Sequence, residues 1–393
     1  MTSGLLASET SLAATHDVGL IDLDGVVYVG SQPVPGAAAT ISAARDAGMR
    51  IAFATNNASR TPAVVAAALT DMGISAVPDD VVTAGLAVAA LLAQSVPIGA
   101  PVLVTGASAL REAVTAQGFR LVDSAAEQPA AVVSGYDATI NYDRLAEAAL
   151  AVRAGATWLA ANLDATIPTA RGLLPGNGAL VAAVAVATGA RPVSAGKPEP
   201  ALFQEAVRRT AARRPLVVGD RLDTDMAGAA AAGITGLLVL TGVATALDLL
   251  RAEPPARPRY LAADVSGLLV PHPAPRISNG VASCGDWAAT LVGREVRVRR
   301  VPGSSAGAGT DAPDARGRGG APGRGEPGTI RGGVADGDGT DGMDGLRAAC
   351  AITWAAADAG RLPSELHLSG LSLPDKKLEP RVPQRGRTQR VER

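Results

Sequence analysis

The chain of 393 residues is poor in aromatics, which make up 3% of it, and has only two cysteines and three histidines. With so few rings, the core has to be built from Ala, Val, Leu and Ile, which the 47% apolar content supplies. Cys284 and Cys350 lie far apart and outside any CxxC spacing. That excludes a disulfide framework and a zinc site, and makes a reducing, cytoplasmic setting the default. His16, His272 and His367 are scattered, which argues against a histidine-based catalyst. No charge of one sign dominates either: the formal net charge is -1, without the basic excess of a nucleic-acid binder. Lysine is the scarcest cation. Of 36 Lys+Arg only three are Lys, and Lys376 and Lys377 lie near the C-terminus, so Lys197 is alone in the first 375 residues. Residues 1–17 hold no Lys or Arg and no sustained apolar run, unlike a secretory signal. The charge-free stretch 226–247 is long enough to span a bilayer, but Gly228, Gly233, Gly236 and Gly242 interrupt it. It reads as helix, turn and buried strand, so no membrane insertion is expected.

What is present is alternation. Residues 18–23 form a buried-strand pattern, 37–47 a helix, 50–54 a second strand and 62–72 another amphipathic segment. The pattern resumes after 190, with strands at 215–219 and 236–240 around a helix. Strand alternating with helix predicts an α/β fold with a Rossmann-like parallel sheet. Between these blocks lies a second α/β set, with strands at 102–105, 119–122, 130–133 and 157–160 and helices at 107–117 and 142–154. An insert of this size reads as a domain of its own. The expected organisation is a core at 15–80 and 191–270, with an inserted α/β cap at 81–190. Residues 302–345 contain 15 Gly, no Leu and no aromatic, and are expected to be a disordered Gly/Pro-rich linker. The linker splits a small C-terminal extension, 271–301 and 346–375, and a loose basic tail follows at 376–393.

The strongest local signal is Asp22-Leu23-Asp24-Gly25, just past an apolar strand. In an open α/β sheet, ligands collect at the carboxyl ends of strands. Two carboxylates two residues apart can divide labour at one phosphate: Asp22 as nucleophile, Asp24 as acid and then base. Such a pair needs a cation beside an approaching dianion, and hard oxygen ligands favour Mg²⁺. A second acidic loop, Gly219-Asp220-Arg221-Leu222-Asp223-Thr224-Asp225, also ends a strand. Asp220 would complete a metal shell with Asp22, while Asp225 would bind through water or orient Asp220. Thr55-Asn56-Asn57 at another strand end offers a hydroxyl and backbone N–H groups as a phosphate cradle. Lys197, in Ala195-Gly196-Lys197-Pro198, suits a point charge against a phosphoryl oxygen and the nucleophile.

Taken in order, these loops resemble the haloacid dehalogenase (HAD) superfamily. The match is closest to its subfamily IIA, which includes bacterial nucleotide and sugar phosphatases and phosphoglycolate or 4-nitrophenyl phosphatases. The resemblance rests on Asp22-Leu23-Asp24-Gly25-Val26-Val27-Tyr28, Thr55-Asn56-Asn57-Ala58-Ser59-Arg60, Gly196-Lys197-Pro198 and the 219–225 loop, and covers about residues 15–270. It implies an aspartyl-phosphate on Asp22, acid/base work by Asp24, and phosphate binding by Thr55, Asn56, Asn57 and Lys197. It also implies Mg²⁺ on Asp22, the Asp24 carbonyl and Asp220, with Asp225 in support. The implied activity is hydrolysis of a small cytosolic phosphate ester, first glycerol 3-phosphate, with phosphoglycolate, nucleoside monophosphates and sugar phosphates as alternatives. A phosphoaccepting signalling module uses similar residues but lacks the insert and the second Asp. Homo-oligomerisation stays open.

Three other motifs carry less. Thr105-Gly106-Ala107-Ser108 lacks the further glycines of a dinucleotide fingerprint and reads as a strand-to-helix turn. Asp336-x-Asp338-x-Thr340 fails as a calcium loop, because Asp341 stands at the required Gly. Asn162-x-Asp164 and the segment from Arg171 to Gly178 fall at the return from cap to core, where a substrate contact and a structural junction are equally open.

Overall fold

The computed structural model describes residues 4–30, 32–169, 171–301 and 342–373. Its first compact unit ends at Ala274 and holds two parallel sheets. The larger sheet has six strands in the spatial order Tyr260–Ala262, Thr235–Val239, Pro215–Gly219, Val18–Ile21, Arg50–Thr55, Val81–Thr83, all parallel. The first strand in sequence is therefore central. Successive strands are added on one side of it, and after the insert on the other. This doubly wound order leaves a crevice outside the carboxyl ends of Val18–Ile21 and Pro215–Gly219, where the direction of winding reverses. Both strands are apolar and buried on both faces, as a covered parallel sheet requires. Around them pack Leu, Ile, Val and Ala, with Phe53 and Phe203 as the bulkiest fully buried side chains.

The inserted segment forms a five-stranded parallel sheet in the order Arg120–Val122, Pro101–Thr105, Ala131–Ser134, Thr157–Ala160, Val193–Ser194. Its own core gathers Leu103, Val122, Val132, Trp158, Val181 and Val184. The two sheets divide the chain at slightly different places from the boundaries expected at 80 and 190. Val81–Thr83 pairs with Phe53–Thr55 and so extends the core sheet, while Val193–Ser194 pairs with Leu159–Ala160 and extends the cap sheet. Strands of two or three residues carry too little pattern to be read locally; pairing defines them. An exposed ribbon, Thr166–Thr169 with Gly172–Pro175, precedes the cap helix Asn177–Thr188.

The described residues from 275 onward make a second compact unit. Four antiparallel strands (Arg276–Ser278, Val281–Cys284, Trp287–Val292, Glu295–Arg300) are joined by His367–Ser369, parallel to the last of them. Alternation along Glu295–Arg300 buries Val296 and Val298 and exposes Arg297 and Arg299. The helix Met343–Asp358 packs on this sheet. It begins inside the segment expected to be linker, because Gly345 sits flush against Leu371, Trp287 and Val298, where a side chain would have no room. Residues 271–274, expected in the extension, belong to the first unit: His272 is buried and pairs with Ser8. The remainder of the expected linker, the Asp336–Asp338 motif and the basic tail lie outside the described residues. Among the described residues no helix is long and apolar enough to cross a membrane. The stretch around 226–247 is a short helix, Ala227–Ala231, followed by the strand Thr235–Val239.

Candidate active site

The chain leaves the Val18–Ile21 strand at Asp22, whose N–H continues the ladder to Val218 O at 2.8 Å. The turn that follows requires Gly25. Its φ is +84°, and a Cβ there would lie 2.4 Å from Asp220 Oδ2. On the neighbouring strand, Pro215–Gly219 delivers Asp220 to the same crevice. A single π-helical turn, Leu222–Met226, then swings Asp225 back, with its Oδ2 accepting the Arg221 N–H at 3.1 Å.

Lys197 sits where these loops meet. Its Nζ donates to Asp22 Oδ1 at 2.5 Å, to Asp225 Oδ1 at 2.7 Å and to Ala54 O at 3.1 Å. Only 4% of the residue is exposed. Burial opposes the ammonium charge, but the Asp22 and Asp225 carboxylates outweigh it and hold the lysine above its usual range. Asp22 is pushed well up by burial, with the Asp225 and Asp220 charges adding and Lys197 opposing. Asp220 is raised to about 7 by burial and by the Asp225 charge. Three carboxylates around one ammonium leave an excess of negative charge.

A divalent cation fits that excess. Asp22, Asp220 and Asp225 offer carboxylate oxygens within 4.8 Å of one another. Asp220 Oδ2 accepts the Val243 N–H at 2.6 Å, whereas Asp220 Oδ1 is buried with no hydrogen-bond partner. An orphaned carboxylate oxygen among hard oxygen donors fits a ligand of Mg²⁺ or Ca²⁺. Asp220 Oδ1 and the second oxygen of Asp22, whose Oδ1 is bonded to Lys197, are placed to hold it. Asp225, expected to bind the metal through water or to orient Asp220, stays in the same cluster, with its Oδ1 accepting from Lys197 Nζ and its Oδ2 from the Arg221 N–H.

Asp24 stands at the mouth of the site, exposed to solvent. Protein crowded around its base raises its carboxyl, and the Arg60 and Lys197 charges partly offset the rise. A carboxyl held above its ordinary range is suited to carry a proton to a leaving oxygen. Thr55, almost buried, closes the core strand and its Oγ1 accepts the Asn57 N–H at 3.1 Å. Asn57 itself is exposed and commits its Oδ1 to the Ser59 and Arg60 amides, so its carbonyl shapes the loop. Asn56 lies beside Lys197, with its Oδ1 accepting the Lys197 N–H at 2.7 Å.

The six core positions Asp22, Asp24, Thr55, Asn56, Lys197 and Asp220 thus line one end of the sheet. The loop Thr241–Val243 was not legible as part of the site. Thr241 Oγ1 donates to Gly25 O at 2.5 Å, and a Cβ on Gly242 would collide with Asp220 Oδ2. Only its place after the strand Thr235–Val239 could have pointed to it. Arg60, whose charge reaches Asp24, was visible only as the end of the Thr55 motif.

A doubly wound sheet whose switch point gathers carboxylates around one buried ammonium suits metal-assisted hydrolysis. Residues 19–120 match the haloacid dehalogenase-like hydrolase family, and residues 194–268 match a HAD-hydrolase-like family. The D-glycerol 3-phosphate phosphatase of Mycobacterium tuberculosis is 52% identical over 66% of this chain and 72% of its own length. An acid sugar phosphatase of Staphylococcus saprophyticus is 40% identical over 64% of this chain and 95% of its own. Among solved structures, the glycerol phosphate phosphatase of M. tuberculosis in complex with calcium shows 41% identity, covers 91% of this chain and 94% of that one, and has a TM-score of 0.75. The same protein in complex with magnesium gives 40% identity, 92% and 95% coverage, and a TM-score of 0.73. The chain belongs to the haloacid dehalogenase-like hydrolases.

Proposed function

We propose that the chain is a Mg²⁺-dependent phosphomonoesterase whose substrate is glycerol 3-phosphate. The observation that carries the chemistry is the Asp22 carboxylate, gripped by Lys197 beside the orphaned Asp220 oxygen. When bound, Mg²⁺ on Asp22 and Asp220 supplies positive charge against the phosphoryl oxygens. The chain's own residues do the rest. Asp22 attacks phosphorus, the P–O bond to the alcohol breaks, and Asp24 gives its proton to the departing alkoxide. Asp24, now ionised, takes a proton from water. That water attacks the phosphorus of the aspartyl-phosphate, the bond to Asp22 breaks, and phosphate leaves with both carboxyls restored. Thr55 Oγ1, the Asn56 N–H and Lys197 Nζ hold the phosphoryl group, which is the main task in a transfer of this kind.

The substrate is supported by the 52% identity to a D-glycerol 3-phosphate phosphatase, and by a structural likeness that extends beyond the 66% of the chain matched in sequence. A cap of this size favours a small ester over a phosphoprotein. The two cysteines are buried and not joined in a disulfide, which accords with work in the cytoplasm. The test is kcat/KM with Mg²⁺ for glycerol 3-phosphate, phosphoglycolate, nucleoside monophosphates and sugar phosphates. Glycerol 3-phosphate is expected to lead. A sugar phosphate in first place would move the chain toward its acid sugar phosphatase relatives, and no turnover of any ester would overturn the reading.

A further inference from the structure

Asn56 does more than present a backbone N–H. Its side-chain amide pairs with both backbone groups of Lys197: Oδ1 accepts the Lys197 N–H at 2.7 Å, and Nδ2 donates to Lys197 O at 3.2 Å. The same Nδ2 reaches the Asp164 carboxylate at 3.2 and 3.3 Å. The other face of Asn56 is held from the cap, where Asn162 Nδ2 donates to Asn56 O at 2.6 Å. Asn162 is 5% exposed, and its Oδ1 accepts the Asp164 N–H at 3.2 Å. Its own carbonyl accepts Asn177 Nδ2 at 2.6 Å, from the first turn of the cap helix Asn177–Thr188. The junction has no slack. A Cβ on Gly196 would lie 2.7 Å from Ala161 O and 2.9 Å from Asn56 Oδ1, and one on Gly176 would lie 2.2 Å from Asp164 O.

We infer that Asn162 and Asp164 are positioning residues for Lys197, acting through the Asn56 side chain, so that the seating of the cap on the core is registered at the phosphate site. The inference rests on the proposed function, since it concerns the same ammonium. Lys197 is anchored at both ends to one strand terminus: its backbone to the Asn56 amide, its Nζ to Ala54 O. The ammonium lies at the end of a long flexible stem, so its aim depends on the backbone being fixed. The cap supplies the last two bonds of that fixture. Misplacement of a catalytic group by about 1 Å can cost roughly 100-fold in rate, which sets the scale of the expected effect.

The experiment is a double-mutant cycle on the full chain with Mg²⁺, using Asn56→Ala, Asn162→Ala and the pair, read with both 4-nitrophenyl phosphate and glycerol 3-phosphate. Each single variant is expected to lose about 10- to 100-fold in kcat with KM little changed, by the same factor on both esters. The double variant is expected to be no slower than Asn56→Ala alone, because without the clamp Asn162 has nothing left to aim. Losses that multiply, a rise in KM with kcat intact, or a loss confined to one ester would overturn the inference; the last two would make Asn162 a substrate contact. Asn162→Asp keeps the side-chain volume while removing the donor, and is read in the same way if the alanine variant does not fold. If neither folds, Asn162 is structural and the inference is wrong. Wild-type hydrolysis separates the two claims. Absence of turnover on both esters, and on every other one tried, overturns the proposed function and the relay with it, whereas turnover with multiplying losses overturns the relay alone.

Discussion

Core and cap are built alike and behave differently. Each is a parallel sheet with a reversal in its winding, and each has a crevice at the carboxyl ends of the strands beside that reversal. In the cap the crevice lies between Pro101–Thr105 and Ala131–Ser134 and opens into a cavity of about 230 Å³ lined by Gly106, Arg111, Asp137 and Arg144. Its charges are met locally. Arg111 and Arg144 both reach Asp123, at 3.4 and 2.8 Å, and Asp137 Oδ1 accepts from Thr139. The Asp123 side chain is 71% exposed, so water screens the pair. In the core crevice, Asp220, Asp225 and Lys197 are buried and negative charge is in excess. Topology provides a place for chemistry; buried charge left unbalanced is what makes it a site.

The sharpest way to break the comparison is Asp22→Asn. Turnover should fall by at least about 1,000-fold, as for loss of a nucleophile. The melting temperature in metal-free buffer should hold or rise, since one of three crowded carboxylates is neutralised. A variant retaining most of its kcat would remove Asp22 from the role. Lys197→Met should cost about 3–5 kcal/mol in urea unfolding, because two carboxylates then lose their buried partner. A loss under about 1 kcal/mol would mean that the core charges are as well screened as an exposed surface pair. Gly25→Ala, at φ +84° and against Asp220, should cost about 1–3 kcal/mol and weaken the stabilisation by Mg²⁺.

The pH dependence comes next. Asp220 rises from 3.8 to about 7 on folding without metal, so the folded state holds more protons than the unfolded one between these values. Metal-free stability should therefore fall as pH rises through that window. Below about 7 the proton also competes with Mg²⁺ for the carboxylate. At a fixed Mg²⁺ concentration the gain in melting temperature should be larger at about pH 8 than at about pH 5. An equal gain at both would place the proton elsewhere. The smallest effect belongs to the cap: Arg144→Ala should change stability by no more than about 1 kcal/mol and leave kcat intact.

Much of this was legible beforehand, for a physical reason. Long buried strands such as Pro215–Gly219, and helices capped as Pro62–Asp71 is by Thr61, carry their signal locally. So did Asp22 and Lys197, whose residue types are costly to bury without a purpose, whereas Asp24, exposed, stood out only by its place two residues after Asp22. Three things depended on distant pairing. The spatial order of the strands puts Asp22 beside Asp220, and no local pattern encodes it. The backbone of Val243 and the bare Cα of Gly242 leave no side-chain signature. The Asn56 amide could be read as a turn residue or a phosphate ligand, and only its bonds to Lys197, Asp164 and the cap show a third use. Asp225 was placed in the right loop, but its bond to Lys197, set by the π-helical turn, was not foreseen.

The central claim is that Asp22 takes the phosphoryl group before water does. The stereochemistry at phosphorus tests it most directly, using an isotopically chiral phosphate ester with Mg²⁺ and the wild-type chain. Two in-line displacements, one by Asp22 and one by water, predict overall retention of configuration. Inversion would mean that water attacks the ester directly, and would contradict the account.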